Sequence, residues 1–397
     1  MITTSEIDLS DPAVLSDPFT AYGQAREHGP VARLVTPGFG SMWAITRYDD
    51  ARALLTDPRF RLDERTYQRL DVPEHCRKYL RTMQSMDGPE HLRVRRLVAP
   101  SFTARRAAAF RPRITRLVDA LLDDLVEQAG AGPVDLIPAF ARPLPMAVIC
   151  ELVGIPAQDR PRWREYGVAI ATGHGAAFTE AVPAIMRDAA AAIARRATEP
   201  GTDLLSDLIG IHTDDDQRLG EDELVTLVWQ LVLAGQTPAH LIANGVEALL
   251  RHPGQFARLR ADERRIPRAV EELGRWCGPQ LLSLPRYAEQ DVRFAGVPIA
   301  KGEPVTVALA GANRDPRVFT DPDRFDLDRP SSQPAHLGFA HGPHFCLGAA
   351  LARVQTEVAL TALLRRFPAL ALVENGARRV PDPGAWRLDA LAVTLHD

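Results

Sequence analysis

The sequence has 397 residues, a formal net charge of −4 and 46% hydrophobic residues, values typical of a globular protein. This charge does not indicate a nucleic-acid partner, and no apolar run reaches the roughly 18 residues that span a membrane. Met1–Asp8 has no basic segment followed by an apolar core, so we expect no secretory signal, and four cysteines without framework spacing favour a reducing, cytoplasmic location.

The pattern along the chain is that of helices with a few short strands. The length alone would allow two or three domains, but no linker or internal repeat divides the chain. We therefore predict one large domain over residues 1–397, mainly α with small β-sheets. The N-terminal, 285–310 and C-terminal segments would form a minor β region. The candidate strands are Val31–Leu34, Met42–Thr46, Val292–Phe294, Val305–Leu309 and Leu388–Leu395.

The first helix of interest begins near Asp87 and is rich in arginine. His91 and Arg95 lie four residues apart, so they share one helix face. A guanidinium and an imidazole on one face suit an anionic ligand. For Arg93 and Arg96, a solvated helix face is the competing interpretation.

A long helix is predicted from Glu221 to Arg251, because acidic residues fill its first turn and a Pro-Gly pair follows its end. Pro238 interrupts this pattern. Proline has no N–H, and its ring clashes with the carbonyl four residues earlier, which is that of Ala234. The freed carbonyl could hold an ordered water, or the proline could simply kink the helix.

Two shorter motifs follow. Glu272 and Arg275 are three residues apart on a predicted helix, which by itself indicates only an ordinary ion pair. Cys346 lies in a loop just before the amphipathic run Ala349–Leu364, and a helix N-terminus favours a thiolate. Gly342 and Gly348 would let a flat ligand approach the backbone.

A rigid thiolate offered to a planar metal cofactor is a haem ligand. Three alternatives remain open for Cys346: a small buried hydrophobic residue, a nucleophile, or a zinc ligand together with His341 and His344.

The segment Phe339-x-x-Gly342-x-His344-x-Cys346-x-Gly348, with Ala352-Arg353 after it, resembles the haem-binding loop of the cytochrome P450 family. The other motifs follow in the order typical of that family, and the resemblance extends from about residue 10 to the end. It implies a haem-thiolate monooxygenase that carries haem b and uses O2. The resemblance implies that Cys346 is the axial iron ligand and that Phe339 and Gly348 contribute further loop contacts to the haem. It implies that the haem propionates are bound by His91, Arg95, Arg286 and His344. It also implies a buried structural pair, Glu272–Arg275, completed by Asn313–Pro316 and Asp323–Phe325.

The chain departs from the family in the long helix. The family usually has Ala-Gly, any residue, an acid and then Thr, whereas here Ala234-Gly235-Gln236 is followed by Thr237 and Pro238. Oxygen activation needs two protons, and the usual acid and alcohol that deliver them are missing. The hypothesis is delivery through Thr237, through water on the Ala234 carbonyl, or through a substrate hydroxyl. The alternative is a non-hydroxylating reaction: dehydrogenation, radical coupling, isomerisation or a peroxide-driven oxidation.

The resemblance also implies a pocket and partners. Its pocket residues would be Leu233, Leu281, Leu282, Leu284 and, in the lid Thr172–Phe178, Phe178. Their apolar character favours a lipophilic substrate such as a macrolide, another polyketide, a terpenoid or a peptide of secondary (antibiotic) metabolism.

Electrons would come from NAD(P)H through a ferredoxin reductase and a ferredoxin, and the enzyme would be a monomer. The arginines that could dock the ferredoxin, or simply form a solvated face, are Arg105, Arg106, Arg111, Arg113, Arg116 and Arg353. A haem-binding sensor or carrier without catalytic activity is the non-enzymatic alternative.

Overall fold

Helices make up most of the regular structure, and the strands are short, so the predicted class, mainly α with small β-sheets, is confirmed. The computed structural model describes residues 4–36, 40–62, 72–130, 132–173, 175–211, 218–330 and 333–396. The helices are α1 (Pro12–Ser16), α2 (Pro18–His28), α3 (Tyr48–Thr56), α4 (Gly88–Val98), α5 (Ala104–Ala129), α6 (Pro143–Val153), α7 (Arg160–Ala171), α8 (Ala176–Thr198), α9 (Leu204–Ile209), α10 (Glu221–Ala234), α11 (Gln236–Arg251), α12 (Pro253–Ala261), α13 (Ile266–Trp276), α14 (Leu309–Ala312) and α15 (Ala349–Arg366). The strands are β1 (Glu6–Asp8), β2 (Val31–Thr36), β3 (Gly40–Ile45), β4 (Phe60–Arg61), β5 (Val134–Asp135), β6 (Arg286–Ala288), β7 (Val292–Phe294), β8 (Val297–Ile299), β9 (Pro304–Val307), β10 (Ala371–Arg379) and β11 (Leu388–Thr394).

The chain divides into two compact units, each built from separate stretches of sequence. The first unit comprises Met1–Thr66, Ala243–Ala349 and Leu372–Leu391. The second comprises Tyr67–Ile242, Ala350–Ala371 and Ala392–Asp397. The expectation of one domain over residues 1–397 stays a prediction.

A six-stranded sheet organises the first unit, in the order β1-β2-β3-β9-β6-β4. The β2–β3, β9–β6 and β6–β4 pairs are antiparallel, whereas β1–β2 and β3–β9 are parallel. All five predicted strands are present: Val292–Phe294 has the predicted ends, and the ends of the other four are shifted by one or two residues. This sheet joins the N-terminal segment to the 285–310 segment, as predicted, but the C-terminal strands β10 and β11 form a separate three-stranded sheet with β5.

Alternating side chains of this sheet enter two hydrophobic cores. Val31 and Ile45 belong to a cluster with α3, whereas their neighbours Ala32 and Ala44 belong to a cluster with Tyr22 of α2. This separation follows from the two-residue period of a strand, which sends successive side chains to opposite faces.

The second unit is helical. Its larger helices pack in succession, α5 on α6, α6 on α7, α7 on α8 and α8 on α10. α5 buries Ile114, Val118, Leu122 and Leu125, whose spacing of three or four residues forms one apolar stripe. None of the helices in the described part of the chain has the length and apolarity to cross a bilayer.

Candidate active site

The loop before α15 is closed by three backbone hydrogen bonds. The Cys346 N–H donates to the Phe339 carbonyl at 2.8 Å, and the Phe345 N–H donates to the Gly342 carbonyl at 3.0 Å. The Ala349 N–H, the first of α15, donates to the Cys346 carbonyl at 3.3 Å. Cys346 therefore lies at the N-terminus of α15, where the helix dipole favours a negative group, as the sequence predicted.

Cys346 differs from the other cysteines in its exposure. Cys76, Cys150 and Cys277 are buried, whereas Cys346 is exposed. Burial raises the pKa of Cys150 and of Cys277 to about 12, so these two remain inert thiols at neutral pH. The interpretation of Cys346 as a small buried hydrophobic residue is therefore wrong.

The two glycines of the loop have different roles. Gly342 has a φ of 75°, and a Cβ there would lie 2.6 Å from Cγ2 of Thr56, so the absence of a side chain lets the loop pack on α3. At Gly348 a Cβ would meet no protein atom within 4 Å. Of the two, only Gly348 offers the open approach to the backbone that the sequence suggested for both.

The Glu272–Arg275 pair is a buried structural contact, with each side chain 3% exposed. Arg275 donates from Nε and Nη2 to the two oxygens of Glu272 at 2.7 and 2.8 Å. Its Nη1 also donates to the carbonyls of Asn313 and Pro322, at 3.0 and 2.7 Å. Arg329, which the sequence analysis missed, donates from Nε to Glu272 at 3.0 Å. No local spacing signals Arg329, because 57 residues separate it from Glu272.

Asn313 connects this pair to the cysteine loop, which comprises Phe339–Gly348. The Oδ1 of Asn313 accepts the Leu337 N–H at 2.7 Å, and the Leu337 carbonyl accepts the Ala340 N–H at 2.8 Å. The next link is the bond from the Cys346 N–H to the Phe339 carbonyl. A continuous set of hydrogen bonds therefore runs from the buried pair to the residue that carries the thiol.

The four predicted propionate partners divide between the units. In the first unit, Arg286 is buried at the start of β6, with Nη1 3.5 Å from the Phe60 carbonyl, and His344 is half-buried in the turn Gly342–His344. In the second unit, His91 is buried and Arg95 half-buried on α4. Their role toward propionates stays a prediction.

The helix predicted over Glu221–Arg251 is two helices, which corrects that expectation. α10 ends at Ala234 and α11 begins at Gln236, so the break falls at Gly235, three residues before Pro238. Pro238 has no N–H to give the Ala234 carbonyl, which explains why the helical ladder fails here. At the same break, the side-chain Nε2 of Gln236 donates to the Val232 carbonyl at 3.3 Å.

Gly235 packs closely against α6. A Cβ at this position would lie 2.4 Å from Cδ1 of Ile149, so α6 contacts the break directly. Ala234 is exposed beside it, and Thr237 and Pro238 are half-buried. The Ala234 carbonyl, the Gln236 side-chain amide and the Thr237 hydroxyl are polar groups in this stretch of the second unit.

The predicted pocket residues differ in environment. Leu281 is 1% exposed and belongs to the core around Tyr22, with Leu282 packed beside it, so packing accounts for both without a ligand. Leu284, in contrast, is 38% exposed. In the second unit Leu233 is half-buried and Phe178 is buried on α8. His174 of the predicted lid and residues 63–71 lie outside the described residues.

The residues of the first unit fit a haem. They combine an exposed thiol at Cys346, the exposed apolar side chains of Leu284 and Phe345, and the cationic Arg286. A flat apolar macrocycle with anionic propionates needs this set of contacts. No group of three or more His, Cys, Asp or Glu side chains in the described ranges is placed to hold a metal ion, so the zinc alternative has no support.

Comparison with known proteins decides the family. The profile described as Cytochrome P450 matches residues 175–382. The chain is 40% identical over 404 residues to Cytochrome P450 107B1 of Saccharopolyspora erythraea, which covers 98% of this chain and 97% of the relative.

The chain belongs to the cytochrome P450 family. It is also 41% identical to the mycinamicin IV hydroxylase/epoxidase of Micromonospora griseorubida, over 88% of each chain. Among solved structures, the P450 PksS of the Bacillus subtilis bacillaene polyketide synthase has a TM-score of 0.89 and 31% identity, covering 98% of this chain and 99% of that one. P450 relatives of this kind favour the monooxygenase over the non-hydroxylating alternative.

Proposed function

We propose that this P450 hydroxylates or epoxidises a macrolide or another lipophilic polyketide in secondary metabolism, with Cys346 as the iron ligand. The observation that carries the proposal is the exposed Cys346 thiol at the start of α15, in a loop tied by hydrogen bonds to the buried Glu272–Arg275 pair. The similarity to a mycinamicin IV hydroxylase/epoxidase and to a P450 of a polyketide synthase supports the substrate class.

Haem b, when bound, supplies the iron centre that activates O2, and a thiolate ligand favours O–O cleavage. Cys346 would hold the iron, and Arg286, His344, His91 and Arg95 would neutralise the two propionates. The protein keeps the thiolate available because the N-terminus of α15 stabilises its negative charge. The backbone hydrogen bonds of the loop fix the position of Cys346 at the start of α15.

The proton route is proposed to use Thr237 and a water held by the Ala234 carbonyl. Ala234 is exposed at the end of α10, and its carbonyl lacks the usual donor because residue 238 is proline. Thr237→Ala should lower the fraction of consumed NADPH that appears as product, and Pro238→Ala, which restores the N–H, should do the same. If neither variant changes the rate or this coupling, the helix break is not the proton route.

An acidic ferredoxin is the proposed electron donor, docking on the arginines of α5. Three of these arginines already have partners within the chain. Arg106 pairs with Asp207 at 2.7 Å, Arg111 pairs with Glu357, and Arg113 donates to Thr202. Arg105 is exposed, so Arg105→Glu is the sharper test. It should slow reduction and flatten the salt dependence of reduction, because it removes an attraction that salt screens. Unchanged reduction kinetics would place the donor elsewhere.

The substrate class is tested by titrating the ferric enzyme with macrolides, aromatic polyketides, terpenoids and cyclic peptides while recording the Soret band. A shift from low to high spin with a macrolide or polyketide is expected. Turnover of that compound under isotopically labelled O2 should place one labelled oxygen atom in the product.

A product without the label would favour the non-hydroxylating alternative. Cys346→Ala is the control for the site: if it keeps the thiolate-type spectrum of the reduced CO complex, Cys346 is not the iron ligand. If no compound shifts the Soret band, the free-polyketide proposal fails, and a substrate presented by a carrier protein becomes the next to test.

A further inference from the structure

His336 is a buried imidazole outside the predicted set of site residues. It precedes the cysteine loop by three residues, with 8% of its surface exposed. Its ring centroid lies 5.5 Å from that of Phe339, whose carbonyl accepts the Cys346 N–H. The sequence alone gives no signal for this residue, since an isolated histidine belongs to no local motif.

The hydrogen bonding of His336 fixes its tautomer. The Gly338 N–H donates to Nδ1 at 3.0 Å, so Nδ1 is the acceptor. A neutral imidazole has one acceptor and one donor nitrogen, which puts the proton on Nε2. Nε2 has no hydrogen-bond partner among the described residues, and Oε2 of Glu271 lies 3.6 Å away. The hydrogen bond of the ring within the described residues is therefore the one from the Gly338 N–H.

Two glycines make room for this ring. A Cβ at Gly274 on α13 would lie 2.8 Å from Nε2 and Cε1 of His336. A Cβ at Gly338 would lie 2.8 Å from Nδ1. The imidazole is thus held between α13 and the turn that leads into Phe339. α13 also carries Arg275, which donates to the Asn313 carbonyl, and the Oδ1 of Asn313 accepts the Leu337 N–H, so a second set of contacts joins the turn to this helix.

We infer that His336 is a positioning residue for the iron ligand. By accepting the Gly338 N–H it holds the turn Leu337–Ala340, and that turn presents the Phe339 carbonyl to which Cys346 is bonded. Losing the acceptor leaves the part-buried Gly338 N–H without this partner and loosens the turn. The loop that carries Cys346 is then held less firmly at the start of α15. The inference rests on the proposed function, because it takes Cys346 as the iron ligand.

Three substitutions separate the two nitrogens of the ring. In His336→Asn, Oδ1 is as many bonds from the backbone as Nδ1, and asparagine accepts readily from the N–H two residues on. In His336→Gln, the amide reaches the position of Nε2 and leaves the Gly338 N–H without its acceptor. His336→Leu removes both contacts. Glu271→Gln is the matched control, since it keeps the ring and changes only the neighbour of Nε2.

The first measurement is the half-life of the thiolate-type CO spectrum of the reduced holoenzyme in mild urea. His336→Asn and Glu271→Gln should stay within about twofold of the parent, whereas His336→Gln and His336→Leu should shorten the half-life by about fivefold or more. The second measurement is amide hydrogen exchange of a peptide covering residues 337–346 in the holoenzyme, which should accelerate only in the Gln and Leu variants.

A Gln variant that behaves like the parent, or an Asn variant that decays as fast as Leu, would overturn the assignment of Nδ1. Failure of the proposed function looks different, because the parent enzyme itself would then lack the thiolate-type spectrum. In that case the exchange measurement decides alone whether His336 holds the turn.

Discussion

Replacing Arg275 with leucine tests the buried pair most directly. The substitution leaves Glu272, 3% exposed, with its charge and without its bidentate partner. It also removes the Nη1 donor from the carbonyls of Asn313 and Pro322. Arg329 stays 3.0 Å from Glu272, so the carboxylate keeps one cationic neighbour.

The expected loss in the free energy of unfolding follows from these contacts. Breaking a buried ion pair by removing one partner costs about 3–5 kcal/mol, and the remaining Arg329 favours the lower end. Two carbonyls that lose a donor add about 1 kcal/mol each, which brings the loss to about 5 kcal/mol. Since domains are stable by only about 5–15 kcal/mol, the variant should be close to unfolding and is best handled at low temperature.

Urea unfolding followed by far-UV circular dichroism measures this loss. Arg264→Leu is the control, because Arg264 Nε lies 2.8 Å from Asp262 but its side chain is 90% exposed, so no measurable change is expected there. Equal losses in the two variants would refute the reasoning from burial. The double variant Glu272→Leu/Arg275→Leu should not recover stability, since Arg329 also donates to Glu272 and would lose its partner.

Three further predictions rest on other contacts. In haem-free protein, iodoacetamide should label Cys346 well before Cys277, and haem should protect Cys346; equal labelling in peptide mass spectra would contradict the site. The hydrogen bond from Arg317 holds the pKa of Glu27 below its ordinary value of 4.5. The ionised Glu27 therefore stabilises the folded protein fully above pH 4.5, and this stabilisation is lost as the pH falls through the lowered pKa. In Arg317→Leu the urea concentration at half-unfolding should therefore fall less steeply as the pH is lowered. An unchanged pH dependence would show that the Glu27–Arg317 pair does not contribute to it. Asn244, fully buried, donates to the Cys277 and Trp386 carbonyls at 3.1 and 2.7 Å, so Asn244→Leu should cost about 1–3 kcal/mol in urea unfolding; a loss below that range would mean these bonds are replaced.

Much of the fold could be predicted from local patterns. β2 and β3 were predicted with ends within two residues of those observed, and a first turn of acids predicted the start of α10 at Glu221. The placement of Cys346 at a helix N-terminus also followed from its neighbours, because the amphipathic run begins within three residues of it. The propionate partners, the monomeric state and the cytoplasmic location stay predictions.

The sequence by itself determined which side chains are available: one cysteine in a glycine-rich loop, one Glu–Arg pair on a helix, and a proline where the family has threonine. Only the tertiary structure decided how they are used. It brought Arg329 to Glu272 across 57 residues, placed His336 against Gly274, and required Gly342 to pack on α3. These contacts depend on distances between elements far apart in the chain. Local propensity and spacing carry no information about such distances, because they arise only when the side chains of different elements are packed together.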